Sequence, residues 1–457
     1  MTDKAYLLND EQMRHFIING YITVKTDLPR NFHDAIFKKT EMVFDKEGNP
    51  GNNLLPRIPA IQEVFDDPTV KGGLQSVLGI DYYMQPHRHP HYNPPKSKGQ
   101  NMHQDGGRRW SHHTRRLLVL YYPQDTPEEL GPTGIIPGSH YYNTPDGAKI
   151  REEFPVCGEA GMVTIANYDL WHRAMPNRTD KKRYMMKFLF ARMSEPESPS
   201  WNNQQREWPG TSDEHQRMWE HVWDWHRGMT NGAMAKNRPT CTDSISDLIE
   251  ALGNDSESIG LNAAYALSEF GDKAVSALIE VLGDASEKIR RNACYALSAM
   301  DTPAVNALMD ALRDANWQVR DSAAETLGDI GLHAQAATSA LMDAVQDESE
   351  QVRGHAAEAL GTTSQMESTA VPALISALQD ENDRVRRTTM LALARLGPHA
   401  AEAVNALKEA LEGENRYVRG DAVHVLQRIG TPEATDVLLR FLTMSRWCPS
   451  TTRESTH

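Results

Sequence analysis

Cysteine is scarce: Cys157, Cys241, Cys294 and Cys448 are the only four in 457 residues, spaced 84, 53 and 154 apart. That spacing excludes a C-x-x-C redox or zinc pair and leaves no dense disulfide framework, so reduced thiols are expected. Long apolar runs are also lacking. The longest, Leu117 to Tyr122, is far below the ~18 residues that a membrane-crossing helix needs. The opening MTDKAYLLND has an acid at position 3 and no apolar stretch before a small-residue cleavage site. No export signal is readable there, and a cytoplasmic protein is expected. An excess of positive charge is missing too, since the net charge is -14. Residues 1–240 carry 30 Lys+Arg against 29 Asp+Glu, whereas residues 241–457 carry 18 against 33. The acidic half would repel nucleic-acid backbones and anionic lipid, so neither is expected as a partner. Thirteen of the 18 histidines fall in the neutral half, which places chemistry there and a solvated scaffold after it. The length itself, about three times the ~150 residues of a typical domain, calls for at least two folding units.

The acidic half is periodic. Aligning IGLNAAYALSEFG, IRRNACYALSAM, VRDSAAETLGDIG, VRGHAAEALG, VRRTTMLALARLG and VRGDAVHVLQRIG puts Ile259, Ile289, Val319, Val352, Val385 and Val418 in one column, at spacings of 30, 30, 33, 33 and 33. Apolar helical stretches such as VSALIEVLGD precede each column entry, so each unit reads as two amphipathic helices joined by a turn. Asp284, Asp314, Asp347 and Asp380 stand where a short side chain accepts from free backbone N–H groups before the second helix. Gly271, Gly331, Gly361, Gly397 and Gly430 stand where a left-handed residue would end it. Arg290, Arg320, Arg353, Arg386 and Arg419 recur one residue after the column, which argues for packing. The pattern resembles HEAT repeats of the short kind also found in phycobilisome-lyase-type proteins, over roughly residues 243–443. The resemblance implies an all-α solenoid, used either to bind a macromolecular partner or to stabilise the first half.

Between Tyr82 and Arg192 the pattern turns to short β-rich runs, RRLLVLYYP, GPTGIIPGSH, EAGMVTIA and RYMMKFLFAR, punctuated by Gly, Pro, Asn and Asp. A two-sheet β-barrel fits, with residues 9–80 read as buttressing helices. In NMHQDGG, His103 and Asp105 are two apart and would project from one strand face. His172 follows the strand-like MVTIA. Two imidazoles and one carboxylate on one face of a metal leave the opposite positions open, which suits ferrous iron in oxygenases. Arg183 lies 11 residues after His172. A hairpin centred between Asn177 and Arg178 would oppose the two, letting the guanidinium reach a carboxylate held beside the metal. Arg178, the rival, falls in the expected turn.

The first half resembles the phytanoyl-CoA dioxygenase family of iron(II)/2-oxoglutarate oxygenases. The likeness runs over about residues 7–192, through LLNDEQMRHFIINGYITV, HQDG, GPTGIIPGSHYYN and WHRAMPNRTDKKRYMMKF. It implies a double-stranded β-helix (jelly roll) with Fe(II) held by His103, Asp105 and His172. Arg183 would bind the far carboxylate of 2-oxoglutarate, and O2 would be the second co-substrate. Related halogenases have a small residue at the carboxylate position; Asp105 fills it here, which favours hydroxylation or another oxidative C–H reaction.

The chain is thus expected to divide into an oxygenase domain at 1–195, a linker and Trp-rich helix at 196–240, a HEAT-like solenoid at 241–443 and a tail at 444–457. Its expected substrate is a small organic molecule or acyl conjugate. The alternatives are a protein docked on the repeats, or a non-catalytic scaffold. Gln85, and Met84 beside it, could touch 2-oxoglutarate by strand position, and Trp110, His112 and His113 could line a substrate pocket. His87, His89 and His91 share a strand face, but Pro86 and Pro90 make an irregular edge a better reading than a second metal site. Trp219, Trp223 and His226 form a stripe expected to dock their helix on the barrel or the first repeat.

Overall fold

The computed structural model describes residues 3–106, 111–144, 147, 151–208, 214–229, 243–365, 367–413 and 415–444. Eight strands organise the first half: β1 (Tyr21–Lys25), β2 (Tyr82–Asn93), β3 (Arg116–Tyr121), β4 (Thr133–Ile135), β5 (Phe154–Val156), β6 (Met162–Asn167), β7 (His172–Ala174) and β8 (Arg183–Arg192). They form an antiparallel five-stranded sheet, β1-β6-β3-β8-β2, and a three-stranded one, β5-β4-β7. The apolar runs of β3 and β8 are continuous because both faces of the larger sheet are covered. Leu117, Val119, Phe188 and Phe190 pack on the N-terminal helices. Leu118, Leu120, Met185 and Leu189 face Ile135 and Val156 of the smaller sheet.

One expectation for the N-terminal part needs correction. Residues 9–80 are not all helical: the helix Asp10–Asn19 stops at Gly20 with φ +77°, and the β-branched YITVK that follows pairs as β1 along β6. A side chain at Gly20 would also drive its Cβ into the His140 ring. β2 is the irregular edge that Pro86 and Pro90 implied: it is the outermost strand of the large sheet, its register shifts between Met84 and Arg88, and Pro90 then pairs opposite Met186.

The second half consists of helix pairs. The inner helices Glu257–Ser268, Glu287–Met300, Trp317–Ile330, Glu350–Thr363, Asp383–Leu396 and Arg416–Ile429 each start two residues before the aligned column. The recurring arginines are the ladder that the period implied. Arg290, Arg320, Arg353 and Arg386 donate to the carbonyls of Asp284, Asp314, Asp347 and Asp380, and Arg419 donates to that of Gly413. The four aspartate side chains accept the N–H two residues on at 2.7–2.8 Å. Arg320 and Arg353 also reach the aspartate of the next repeat, Asp347 and Asp380. Gly271, Gly331, Gly397 and Gly430 take positive φ after their helices. Gly361 does not, because its helix runs on to Thr363; a Cβ there would lie 2.6 Å from Cα of Ala392 on the next inner helix, so close packing is what requires glycine.

The two halves are packed together through the inner helices. His112 donates to or accepts from Tyr265 Oη at 2.7 Å and stacks on Tyr295, while Arg116 pairs with Glu358 at 3.3 Å. Tyr83 stacks on His424, and Arg428 grips Asp81 through two bonds of 2.6 and 2.7 Å. Buried Asp329 accepts from Arg115 at 2.6 Å and from the Ser111 hydroxyl, and lies 2.9 Å from His113 Nδ1. Trp219, Trp223 and His226 are buried on the helix Gln216–His226, where Trp223 packs on Trp201 and Trp208. That helix touches both the helix Asp10–Asn19 and the first inner helix, as its stripe suggested.

His355 and Glu325 at this joint give a stability test. Burial alone would lower the His355 value, but Glu325 and hydrogen-bonded Asp321 hold it up at about 9. Burial pushes Glu325 up to about 8. Both folded values are raised, so the stability they contribute is present below the unfolded values, about 6.5 and 4.3, and is lost as pH rises through 8 to 9. The urea midpoint is expected to fall between pH 6 and pH 9, and to flatten in the double variant His355→Gln/Glu325→Gln.

Candidate metal centre

His103 and His172 are joined by a two-way backbone bridge, N–H to carbonyl at 3.0 and 2.9 Å. The bridge attaches the loop after Gln100 to the start of β7, so the two rings lie 4.6 Å apart between centroids. Each Nδ1 sits 2.9 Å from a backbone carbonyl, Asn101 for His103 and Leu170 for His172. A carbonyl only accepts, so each Nδ1 carries a proton, which in a neutral ring leaves the lone pair on Nε2. Those lone pairs converge on Asp105, with His103 Nε2 at 3.8 Å from Oδ1 and His172 Nε2 at 3.8 Å from Oδ2. Among the described residues, these three make the one group of histidines, cysteines and carboxylates placed to hold a metal ion, with ligand atoms within 4.8 Å of one another.

The surroundings keep the donors in ligating form. Burial lowers the His172 value, so its imidazole is neutral. Burial would raise Asp105, but Lys187, through its charge and its hydrogen bond, outweighs it and holds the carboxyl below its ordinary range. Lys187 Nζ donates to Asp105 Oδ2 at 2.6 Å. Sequence reasoning missed Lys187; its signal was a lone lysine among apolar residues in RYMMKFLFAR, two steps of the strand period from Arg183 and therefore on the same inward face.

Arg183 is 1% exposed at the start of β8. Its Nε donates to the Gly131 carbonyl at 2.9 Å, while its Nη2 has no hydrogen-bond partner among the described residues. An orphaned, buried guanidinium N–H is the feature a bound carboxylate would satisfy. The hairpin expected to place it does not exist. β7 lies in the small sheet against β4, whereas β8 lies in the large sheet with Arg183 opposite Asn93, because the segment between them crosses from one sheet to the other. Buried Asn177 braces that crossing, donating to the carbonyls of Asn93 and Lys181, and the rival Arg178 is exposed.

The remaining candidates separate. His87, His89 and His91 do share a face, and line the pocket of about 780 Å³ that contains Asp105 and Lys187. Burial, then neighbouring charge, pushes His91 down to about 3 and His87 to about 4, so both rings are neutral polar walls. Gln85 is not with them: the register shift after Met84 turns it toward the repeats, where it lines a cleft with Tyr83 and His424. His112 is likewise no pocket wall, being 3% exposed and fixed between tyrosines of the first two inner helices. His113 lines a cavity against the repeats beside Tyr168 and Asp169. Trp110 lies outside the described residues.

Residues 34–185 match the family phytanoyl-CoA dioxygenase (PhyH), and six overlapping matches to HEAT repeats run from 227–298 to 371–448. No curated protein matches the chain. Similar solved structures include the non-haem alpha-ketoglutarate-dependent carbocyclase SnoK from nogalamycin biosynthesis, with 18% identity, TM-score 0.36, and coverage of 42% of this chain and 88% of that one. The epimerase SnoN in complex with Fe3+, alpha-ketoglutarate and nogalamycin RO has 15% identity, TM-score 0.36 and coverage of 40% and 84%. EctD from S. alaskensis in its apoform has 16% identity, TM-score 0.36 and coverage of 44% and 85%.

Mn(II), titrated anaerobically and followed by electron paramagnetic resonance, is expected to fill one site per chain in the full-length protein. Asp105→Ala and His172→Ala should each weaken that binding by at least ~100-fold while leaving the far-UV circular dichroism unchanged.

Proposed function

Since residues 34–185 are a phytanoyl-CoA dioxygenase domain and residues 227–448 are HEAT repeats, we propose that this chain is an iron(II)/2-oxoglutarate-dependent dioxygenase. It oxidises a C–H bond of a small organic molecule or acyl conjugate. The observation that carries the reading is the pair of Nε2 lone pairs converging on Asp105, with the orphaned Nη2 of Arg183 inside the same barrel. On this reading residues 1–195 are the oxygenase, a double-stranded β-helix, 196–240 a linker with its Trp-rich helix, 241–443 the solenoid and 444–457 a tail.

His103, Asp105 and His172 would hold the iron, leaving one side of it open as the two-histidine, one-carboxylate set does in non-haem oxygenases. When bound, the iron supplies the oxidative chemistry with O2 and 2-oxoglutarate. The chain's own contributions are binding and orientation. Leu170 and Asn101 fix the imidazole tautomers, and Lys187 holds one carboxylate oxygen of Asp105 so that the group cannot swing away. Arg183, its Nε held by the Gly131 carbonyl, would receive the distal carboxylate of 2-oxoglutarate through its orphaned Nη2. Leu118, Leu120, Met185 and Leu189 exclude water from the barrel floor.

A small substrate is favoured over a protein docked on the inner helices of the repeats, since those helices already pack on the barrel through Tyr265, Tyr295, Glu358 and His424. No described helix is long and apolar enough to cross a membrane.

Calorimetry on the anaerobic protein is expected to give 2-oxoglutarate binding only when iron(II) is present. Arg183→Leu removes a charge-assisted contact whose bonds contribute ~1.5–3 kcal/mol each, so affinity should fall ~10- to 150-fold with iron binding intact. Iron-independent binding, or no binding in folded wild-type protein, would contradict the assignment.

A further inference from the structure

Two cavities lie where the barrel opens toward the repeats, of about 580 and 560 Å³, each within the ~300–1,000 Å³ of small-molecule sites. They share Arg116, Tyr168, Gln351, His355, Glu358 and Arg384. Tyr168 also lines the pocket around Asp105 and Lys187, and its hydroxyl donates to the Asp105 carbonyl at 3.4 Å. Tyr168 therefore stands between the pocket of the candidate metal centre and a chamber whose far wall is solenoid.

That wall has a register. Gln351, His355 and Glu358 stand one before, three after and six after the recurring valine of their repeat, and Arg384, Thr388 and Leu391 hold the same positions in the next. Spacings of four and seven residues put each set on one helical face. Within the solenoid, the valine column, the arginine after it and the leucine eight residues on (Leu360, Leu393, Leu426) recur, while between these two repeats all three wall positions change, Gln351 to Arg384, His355 to Thr388 and Glu358 to Leu391. A position that packs against the same neighbour in every repeat is constrained to recur. One that faces different parts of a single ligand is not.

Charge distinguishes one member of the wall. Arg116 pairs with Glu358 at 3.3 Å, His355 with Asp321 at 2.7 Å and Arg387 with Asp421 at 3.6 Å. The Arg384 guanidinium has no ion pair among the described residues, although it borders both cavities within a half of net charge -15.

We propose that the inner helices Glu350–Thr363 and Asp383–Leu396 are the substrate-recognition wall of the oxygenase, and that Arg384 receives an anionic group of a polar small molecule whose other end lies at the His103–Asp105–His172 cluster. This rests on the oxygenase reading given above. The solenoid is then a specificity element of the active site, with Gln351 and Thr388 supplying hydrogen bonds beside the arginine.

The test uses full-length protein with iron(II) and 2-oxoglutarate, reading carbon dioxide release from 2-oxoglutarate. The probes are three anions, benzoate, indole acetate and adenosine monophosphate, each beside its uncharged counterpart, benzamide, indole acetamide and adenosine. At least one anion should accelerate release several-fold and its uncharged counterpart should not. Arg384→Ala should raise the half-saturating concentration of that anion ~10- to 100-fold, with the maximal rate kept, and Arg384→Lys should recover part of the loss. Lys408→Ala, on an outer helix, should respond like wild type. Acceleration by none of the anions, equal acceleration by the uncharged partners, or an unchanged half-saturating concentration in Arg384→Ala would overturn the proposal. Wild-type protein that fails to bind 2-oxoglutarate with iron(II) would remove the oxygenase reading and this one with it; binding without an anion response removes only this one.

Discussion

The carboxylate of Asp329 is buried between the two halves of the chain, and an unpaired charge there would be strongly destabilising. Burial would raise its proton affinity, yet His113 and Arg115 together hold it well below the carboxylate range. Its partners Ser111, His113 and Arg115 all come from the segment that leads from the Asp105 loop into β3. Arg115 continues the chain of charge to Glu195, through two bonds of 2.9 Å, at the exit of β8. One carboxylate of the solenoid thus fixes the approach to β3, from Ser111 six residues after Asp105 to Arg115 at the strand entrance, and, through Arg115, the strand that carries Arg183 and Lys187. The geometry of the candidate centre is in this sense a property of both halves.

What the sequence disclosed and what it withheld divide along the range of the interactions. The β3, β6 and β8 runs were legible because each is apolar enough to be covered on two faces, and the solenoid because its column repeats at 30 or 33 residues. β1 was hidden by the capped helix before it, whose signals read on past Gly20. The expected hairpin between His172 and Arg183 failed for a different reason: local spacing describes a turn but says nothing of which sheet each arm joins. Arg183 is inward all the same, because strand alternation fixes its face whichever neighbour it pairs with. Gln85 shows the converse, since one register shift in β2 was enough to move it from the pocket to the cleft.

Recurrence within the repeats carries only half of the solenoid's information. The repeated positions serve packing between repeats, as the arginine ladder does. The residue six after the column is Tyr265, Tyr295, Glu325, Glu358, Leu391 or His424, a set with no common chemistry and so no periodic signal. Yet Tyr265, Tyr295, Glu358 and His424 each touch the barrel half. In a solenoid that folds back on its own domain, each repeat meets a different part of that domain, so the joint must be encoded in the variable positions.

The charges around the candidate centre bear on how its occupants would bind. Around the candidate centre Lys187 and Arg183 lie on the inner face of β8 against one carboxylate, Asp105, while His87 and His91 are kept neutral by burial. A divalent cation alone would add two positive charges to a pocket that already carries an excess of one. A dicarboxylate alone would meet that excess but lack its metal. Bound together they add no net charge, so each lowers the electrostatic cost of the other, and linkage requires the effect to be equal in both directions. Lys187 neutralises Asp105, so the excess is the charge of Arg183, the one whose buried Nη2 is left without a hydrogen-bond partner among the described residues.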